Sequence, residues 1–185
     1  MVITTMELSR NKKNIIELTR IGLEEYRSCG KLPLKVALDN VRSLNNVGSV
    51  LRTCDAFLVD ELLLCGITGT PPHPEIRKTA LGAEESVAWS HHEDTAEVLG
   101  GLRRAGWKIA VLEQTHNSVP LNEFIPRKDE KYIIVAGNEI HGVEQRVVDM
   151  ADIVLEIPQH GTKHSLNVSV STAIAIWQFF TSLKF

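Results

Sequence analysis

The sequence predicts a single α/β domain, a parallel sheet covered by helices on both faces. Short, almost wholly apolar segments such as WKIAVLEQ and KYIIVAGNE recur along the chain, as expected for strands buried on both faces. Segments with the apolar spacing of amphipathic helices lie between them, and this alternation is typical of parallel sheets. The length of 185 residues suits one domain with a sizeable core.

Composition excludes several functional classes. Hydrophobic residues make up 43% and charged residues 23% of the chain, which is typical of a soluble globular protein. The net charge of −3 argues against coating nucleic acid by bulk charge but leaves room for a local basic face. We expect no signal peptide and no membrane span. Three cysteines without a CxxC pair predict a reduced, cytoplasmic setting.

Residues 1–30 are predicted to form a short N-terminal helical extension. A partial apolar face and several basic side chains support a helix there, and Gly30 and Pro33 then interrupt the pattern. The apolar positions are Leu8, Ile15, Ile16, Leu18 and Leu23. We therefore expect an appendage over residues 1–30 and the domain itself over residues 34–185.

From Leu34 onward, predicted strands and helices alternate. The strands are LKVALDNV, ELLLCGI, WKIAVLEQ, KYIIVAGNE and DIVLEIP, and the helices are NNVGSVLRTCDAF, PEIRKTALGAEES, DTAEVLGGLRRAG and SLNVSVSTAIAIWQFFTSLK. In the last segment, alternation at Leu166, Val168 and Val170 would also suit a strand, but the length favours a helix.

Four polar loops follow predicted strands: DNVRSLNNVG, EQTHNS, AGNEIHG and IPQHGTKHS. Ligands of open parallel sheets bind beyond the carboxyl ends of the strands. The sequence therefore predicts that the functional site lies at this edge of the sheet.

The segment NNVGSVLRT places Asn45, Gly48 and Arg52 on one flank of the predicted helix. The missing side chain of Gly48, one turn before Arg52, would leave room for a bulky group beside the guanidinium, such as a phosphate or a ribose. A helix capped by Asn45 or Asn46, with Arg52 as a surface charge, explains this stretch by itself with fewer assumptions. The opposite, apolar stripe comprises Val47, Val50, Leu51, Cys54 and Leu58.

The segment VAGNEIHGV ends a strand and carries Glu139 between Gly137 and Gly142. Glycines at these positions permit a tight turn and a close backbone approach to a ligand. The carboxylate would orient a hydroxyl or an arginine, although an ordinary strand-to-helix turn explains the segment equally well. Dinucleotide and P-loop sites are excluded because the segment holds no GxGxxG and the chain no GxxxxGK[ST].

The segment IPQHGTKHSLNVS leaves a strand at Ile157 and is predicted to enter a helix near Ser165. Ser165 would cap that helix, while Asn167 and Ser169 would offer an amide and a hydroxyl at its first turn. An ordinary capped helix would explain Ser165 but would leave Asn167 and Ser169 without a role.

A metal site is not expected. His160 and His164 are four residues apart, as zinc ligands on a helix would be. Gly161 places them in a loop, however, and no third ligand recurs nearby.

Taken together, NNVGSVLRT, VAGNEIHGV and IPQHGTKHSLNVSVSTAIAIW resemble, in order and separation, the three motifs of the SpoU (TrmH-type) RNA ribose 2′-O-methyltransferases of the SPOUT superfamily. The resemblance runs from Leu34 to the C-terminus. It implies a SPOUT fold with a C-terminal trefoil knot, S-adenosyl-L-methionine as methyl donor and no metal. It also implies an RNA substrate, tRNA before rRNA, and a homodimer with the active site at its interface.

The resemblance further implies roles for individual residues. Arg52 would be the catalytic arginine, with Asn46 beside it in substrate binding. Three further catalytic-site positions would be Glu139, Ser165 and Asn167. The cofactor contacts, made largely by backbone groups, would be Gly137, Ile157, Leu166, Thr115 and Asn167.

Methyl transfer to a ribose hydroxyl requires alignment and a destination for the hydroxyl proton. Because arginine is a poor base, we expect Arg52 to hold a substrate phosphate or the developing alkoxide, with a phosphate oxygen or an unusual local environment assisting proton removal. Two alternatives stay open: an RNA-binding module without turnover, and methylation of a base instead of a ribose.

Overall fold

The computed structural model describes residues 11–14, 16–18 and 20–184. Its strands are β1 (Leu34–Asp39), β2 (Glu61–Cys65), β3 (Trp89–His92), β4 (Trp107–Leu112), β5 (Val119–Pro120), β6 (Lys131–Ala136) and β7 (Ile153–Glu156). Its α-helices are α1 (Leu23–Ser28), α2 (Leu44–Ala56), α3 (Pro74–Ala80), α4 (Ala83–Ser86), α5 (Thr95–Arg104), α6 (Gln145–Asp149) and α7 (Val168–Lys184).

The strands form one sheet in the order β3-β2-β1-β6-β4-β7-β5, and each neighbouring pair runs parallel. Side chains alternate between two cores, as the pleat requires. In β1, Val36 and Leu38 lie in one core, whereas Ala37 lies in the other. Helices α2, α3 and α7 contribute to the first core and α5 and α6 to the second. The predicted α/β fold, covered on both faces, is therefore confirmed.

Two strands and one helix break were not predicted. Strand β3 is polar in sequence and β5 has two residues, so neither carries the apolar pattern of a buried strand. The predicted helix PEIRKTALGAEES is divided into α3 and α4 because Leu81 and Gly82 adopt φ values of 53° and 93°, which end a right-handed helix.

The single N-terminal helix predicted for residues 1–30 is wrong over the described residues. The chain has a 3₁₀ turn at Ile16–Leu18 and a separate helix α1. Gly22 precedes α1 in an extended conformation, which interrupts any continuous helix. Tyr26 of α1 is buried in the core, while Leu8 and Ile15 lie outside the described residues. The division at residues 30 and 34 stays a prediction.

Helix α2 has the predicted apolar stripe, since Val47, Val50, Leu51 and Cys54 are fully buried. Its cap is Ser43, whose side chain accepts from the Asn46 backbone N–H, so capping by Asn45 or Asn46 is wrong. Leu58 lies beyond the helix in a left-handed conformation.

Gly48 does not open space for a ligand. A Cβ at this position would collide with Thr79 Oγ1 and the Ile76 carbonyl oxygen, because α3 packs directly on α2. The predicted room beside Arg52 is therefore filled by protein. The glycine allows two helices to approach closely.

No helix within the described ranges is long and apolar enough to cross a membrane.

Candidate active site

A cavity of about 560 Å³ opens at the carboxyl edge of the sheet. Its walls come from residues 112–114 after β4, from residues 136–142 after β6, and from the chain between residues 155 and 171. The edge of the sheet at which the sequence predicts the functional site therefore contains a cavity, and its volume is within the range of small-molecule pockets.

The cavity brings together six of the predicted site residues and leaves out three. Those that line it are Gly137, Glu139, Ile157, Ser165, Leu166 and Asn167. Thr115, Asn46 and Arg52 do not line it. In place of Thr115, the neighbouring Gln114 forms the wall, and its side-chain amide donates to the His164 carbonyl oxygen at 3.0 Å.

The turn after β6 is closed on itself. Asn138 and Gly142 exchange two backbone hydrogen bonds of 2.9–3.0 Å, and Gly142 has a φ of 69°. A Cβ on Gly137 would collide with the backbone at Gly142 and Val143. Glycine is thus needed at both positions, as the sequence predicts, but the close approach at Gly137 is made by the chain itself.

Glu139 fastens this turn to the segment that precedes α2. Its carboxylate accepts from the backbone N–H groups of Arg42 and Ser43 and from Asn46 Nδ2, each at 3.0 Å. Partial burial raises its pKa, but these hydrogen bonds outweigh burial and hold the pKa below its ordinary value of 4.5. Its partners are therefore backbone amides and Asn46, and not Arg52.

Asn167 links α7 to α2 and also caps α7. Its Nδ2 donates to Asn46 Oδ1 at 3.2 Å, while its Oδ1 accepts from the Ser169 N–H at 2.9 Å and from Ser169 Oγ at 2.7 Å. The predicted cap at Ser165 is wrong because α7 begins at Val168. Ser165 is exposed at the cavity and, within the described residues, makes no hydrogen bond.

Arg52 is exposed on α2, six residues after Asn46. Its guanidinium forms no hydrogen bond or ion pair with residues 11–14, 16–18 and 20–184, so it is free to meet a partner from solution.

The charged groups around the cavity are acidic. Glu113, Glu139 and Glu156 line it, and its described lining contains no Lys or Arg. Apolar side chains such as Leu155 and Leu166 complete the walls. This combination suits an organic cation better than a phosphate.

The described part of the chain holds no group of three or more His, Cys, Asp or Glu side chains that could bind a metal ion. His164 lines the cavity and His160 does not.

Sequence reasoning missed Glu113, which follows β4 directly. One of its carboxylate oxygens accepts from the Gln114 N–H at 2.8 Å and the other from the Val143 N–H at 3.0 Å. The sequence feature that could have indicated Glu113 is its position immediately after a buried strand, at the start of the polar loop EQTHNS.

The chain matches known RNA methyltransferases in sequence. It is 30% identical over 170 residues to the tRNA (guanosine(18)-2′-O)-methyltransferase of Aquifex aeolicus, covering 89% of this chain and 76% of that protein. It is 29% identical to the mitochondrial rRNA methyltransferase 1 of Dictyostelium discoideum, covering 82% of this chain but only 29% of that protein. The chain thus spans less than a third of the length of this second relative.

Solved structures of other proteins share the fold. The A. aeolicus TrmH/SpoU tRNA modifying enzyme superposes with a TM-score of 0.78 at 26% identity, over 88% of this chain and 81% of that one. The AdoMet-bound rRNA methyltransferase of Sinorhizobium meliloti gives 0.73 at 25% identity, over 84% of this chain and 58% of that one. The model of the SpoU rRNA methylase family matches residues 33–177. The chain therefore belongs to the SpoU family of RNA methyltransferases.

Proposed function

We propose that this protein transfers a methyl group from S-adenosylmethionine to a ribose 2′-hydroxyl of RNA, with tRNA as the first candidate and rRNA as the second. The observation that carries the proposal is the hydrogen-bonded series Glu139–Asn46–Asn167, which joins the cavity to the helix of Arg52. The relatives named for 2′-O-methylation of tRNA support ribose as the target.

The cavity fits the proposed methyl donor in size and charge. S-adenosylmethionine is an organic cation with an adenosine moiety, and the cavity offers apolar walls, backbone groups and three carboxylates without a lysine or arginine in its described lining. Gly137, Ile157, Leu166 and Asn167 would hold it, together with Gln114 in the place expected for Thr115. When bound, the donor supplies a methyl group on a positively charged sulfur, which becomes neutral on transfer.

The chain's own residues would then orient the acceptor. Arg52 holds the phosphate next to the target ribose, and an oxygen of that phosphate receives the hydroxyl proton. Asn46 contacts the substrate while Glu139 and Asn167 fix its side chain. Ser165, exposed at the cavity with an unused hydroxyl, contacts the ribose. Catalysis in this scheme depends on alignment more than on acid–base strength.

We also propose that the protein is a homodimer whose interface includes α7. Val170, Ile174 and Trp177 are 40–52% exposed at spacings that place them on one helix face. Leu166 and Ile140, both at the cavity, are exposed as well. A partner subunit on this face would cover apolar surface and close the site.

The proposal includes a trefoil knot at the C-terminal end and a reducing, cytoplasmic location. In support of the knot, β7 lies between β4 and β5 in the sheet, so the loop of residues 113–118 that joins β4 to β5 has to pass β7. Within that loop, Gln114 contacts the segment that follows β7. In support of the location, Cys29, Cys54 and Cys65 are free thiols.

The test is methyl transfer from isotopically labelled S-adenosylmethionine to tRNA and rRNA, followed by digestion and mass spectrometry of the nucleosides. We expect label on a ribose oxygen. Label on a base would favour base methylation. RNA binding without donor binding in a calorimetric titration would favour the binding module that lacks turnover.

A further inference from the structure

The turn between β6 and α6 is held from both sides by carboxylates of the two strands that flank β6. Asp39 ends β1, and its Oδ2 accepts from the Glu144 N–H at 2.8 Å. Glu113 follows β4, and its Oε2 accepts from the Val143 N–H at 3.0 Å. Because β1 and β4 are the two neighbours of β6, two successive amides are fastened from opposite sides.

Asp39 is fully buried. Its second oxygen accepts from Thr95 Oγ1 at 2.6 Å and from Asn40 Nδ2 at 3.0 Å. A buried carboxylate is costly unless hydrogen bonds compensate for lost water. The three donors, Asn40, Thr95 and the Glu144 N–H, compensate for the lost water. They also connect the end of β1, the start of α5 and the start of α6 to one carboxylate.

Glu113 is in direct contact with the turn. A Cβ on Gly142 would collide with the Glu113 carboxylate, and Glu113 itself lines the cavity. An ionised carboxylate is suited to this place because it only accepts hydrogen bonds and binds backbone N–H groups more strongly than a neutral amide does.

We propose that Asp39 and Glu113 form a carboxylate clamp, a pair of positioning residues that fixes residues 137–144. This segment forms a wall of the cavity and presents Glu139 to the residues that precede α2. The clamp follows from the geometry. Its consequence for donor binding rests on the proposed function.

The experiment compares Glu113→Gln and Asp39→Asn with Asp152→Asn as the matched control. Asp152 also uses a carboxylate oxygen to hold a backbone N–H, that of Ile109 at 2.9 Å, but it precedes β7 at the opposite edge of the sheet. Hydrogen exchange by mass spectrometry is read on peptides covering residues 137–144. The dissociation constant of S-adenosylmethionine is measured by calorimetry, and folding is checked by circular dichroism.

We expect about tenfold faster exchange over residues 137–144 in Glu113→Gln and Asp39→Asn, because each loses a charge-assisted hydrogen bond. The dissociation constant should rise by a similar factor. Asp152→Asn should change neither quantity at the site. Should Asp39→Asn not fold, the more accessible Glu113→Gln decides the question.

Unchanged exchange at residues 137–144 in folded Glu113→Gln would overturn the clamp, whatever happens to donor affinity. Faster exchange with unaltered donor affinity would overturn its positioning role. Faster exchange in the variants, with no donor binding by the wild-type protein, would support the clamp while refuting the proposed function.

Discussion

The side-chain amide of Asn167, at the start of α7, donates a hydrogen bond to the amide oxygen of Asn46, in the first turn of α2. The two residues are 121 positions apart in sequence. Asn46 in turn donates to Glu139, so that the start of α2, the turn after β6 and the segment before α7 are joined through one asparagine. This arrangement gives Asn46 a structural reason to be intolerant of change.

Asn46→Ala should lower kcat by about 10²-fold, since small misplacements of a substrate-positioning group have effects of this size. The dissociation constant of S-adenosylmethionine should change little because Asn46 does not line the cavity. Single-turnover kinetics with separately measured donor affinity would check this. A kcat within twofold of wild type would contradict the role of Asn46.

Arg52→Ala should reduce methyl transfer by about 10²-fold, because the phosphate next to the target ribose loses the group that aligns it. Donor affinity and thermal stability should stay near wild type because the Arg52 side chain is exposed and forms no hydrogen bond or ion pair with the other described residues. Arg104→Ala, which alters an exposed arginine on α5, is the control. Equal loss of transfer and donor binding would argue against a role for Arg52 in the chemical step.

Gly48→Ala should destabilise the protein by about 2 kcal/mol, because the added Cβ collides with α3. Gly101→Ala is the matched control in α5, where the nearest atom outside the helix backbone to an added Cβ is Arg104 Nη2 at 3.9 Å. There the better helix propensity of alanine should stabilise by about 0.5–1 kcal/mol. Urea unfolding measures the change in unfolding free energy of each variant. A change of the same sign in both variants would contradict the close contact between α2 and α3 at Gly48.

The contribution of Glu139 to stability should depend on pH. Its folded-state pKa is lowered, with hydrogen bonds from Arg42, Ser43 and Asn46 outweighing the opposing effect of burial. The stabilisation is therefore complete above pH 4.5 and is lost as the pH falls through the lower folded-state value. The gap in unfolding free energy between wild type and Glu139→Gln should therefore narrow as the pH falls below 4.5. A gap that stays constant over this range would exclude the ionised interaction.

Ile174→Lys should convert the proposed dimer into monomers, because it places a charge on the exposed apolar face of α7. Ile125→Lys, at an isoleucine that is 76% exposed, should leave the mass unchanged. Light scattering after size-exclusion chromatography measures both. A wild-type protein that is monomeric at micromolar concentration would refute the dimer.

The sequence by itself determined the buried elements. The β1, β4 and β6 segments are apolar on both faces, and the stripe of α2 is periodic, so local pattern and burial agree. The same patterns placed the polar loops at the carboxyl edge of the sheet. Strand β3 was not predicted because the segment WSHH has no strand pattern of its own. It becomes a strand by pairing with β2, and this pairing joins segments that are distant in sequence.

Tertiary structure alone decided what each polar residue in those loops does. The sequence predicts that Gly48 makes room for a ligand, whereas in the structure it makes room for α3. The sequence predicts that Ser165 caps α7, whereas Asn167 caps it and also donates a hydrogen bond to Asn46. Glu113 carried no periodic signal, and its role depends on Val143, 30 residues away. Hydrogen bonds and close approaches between distant segments depend on how the elements pack, and local sequence periodicity does not encode that packing.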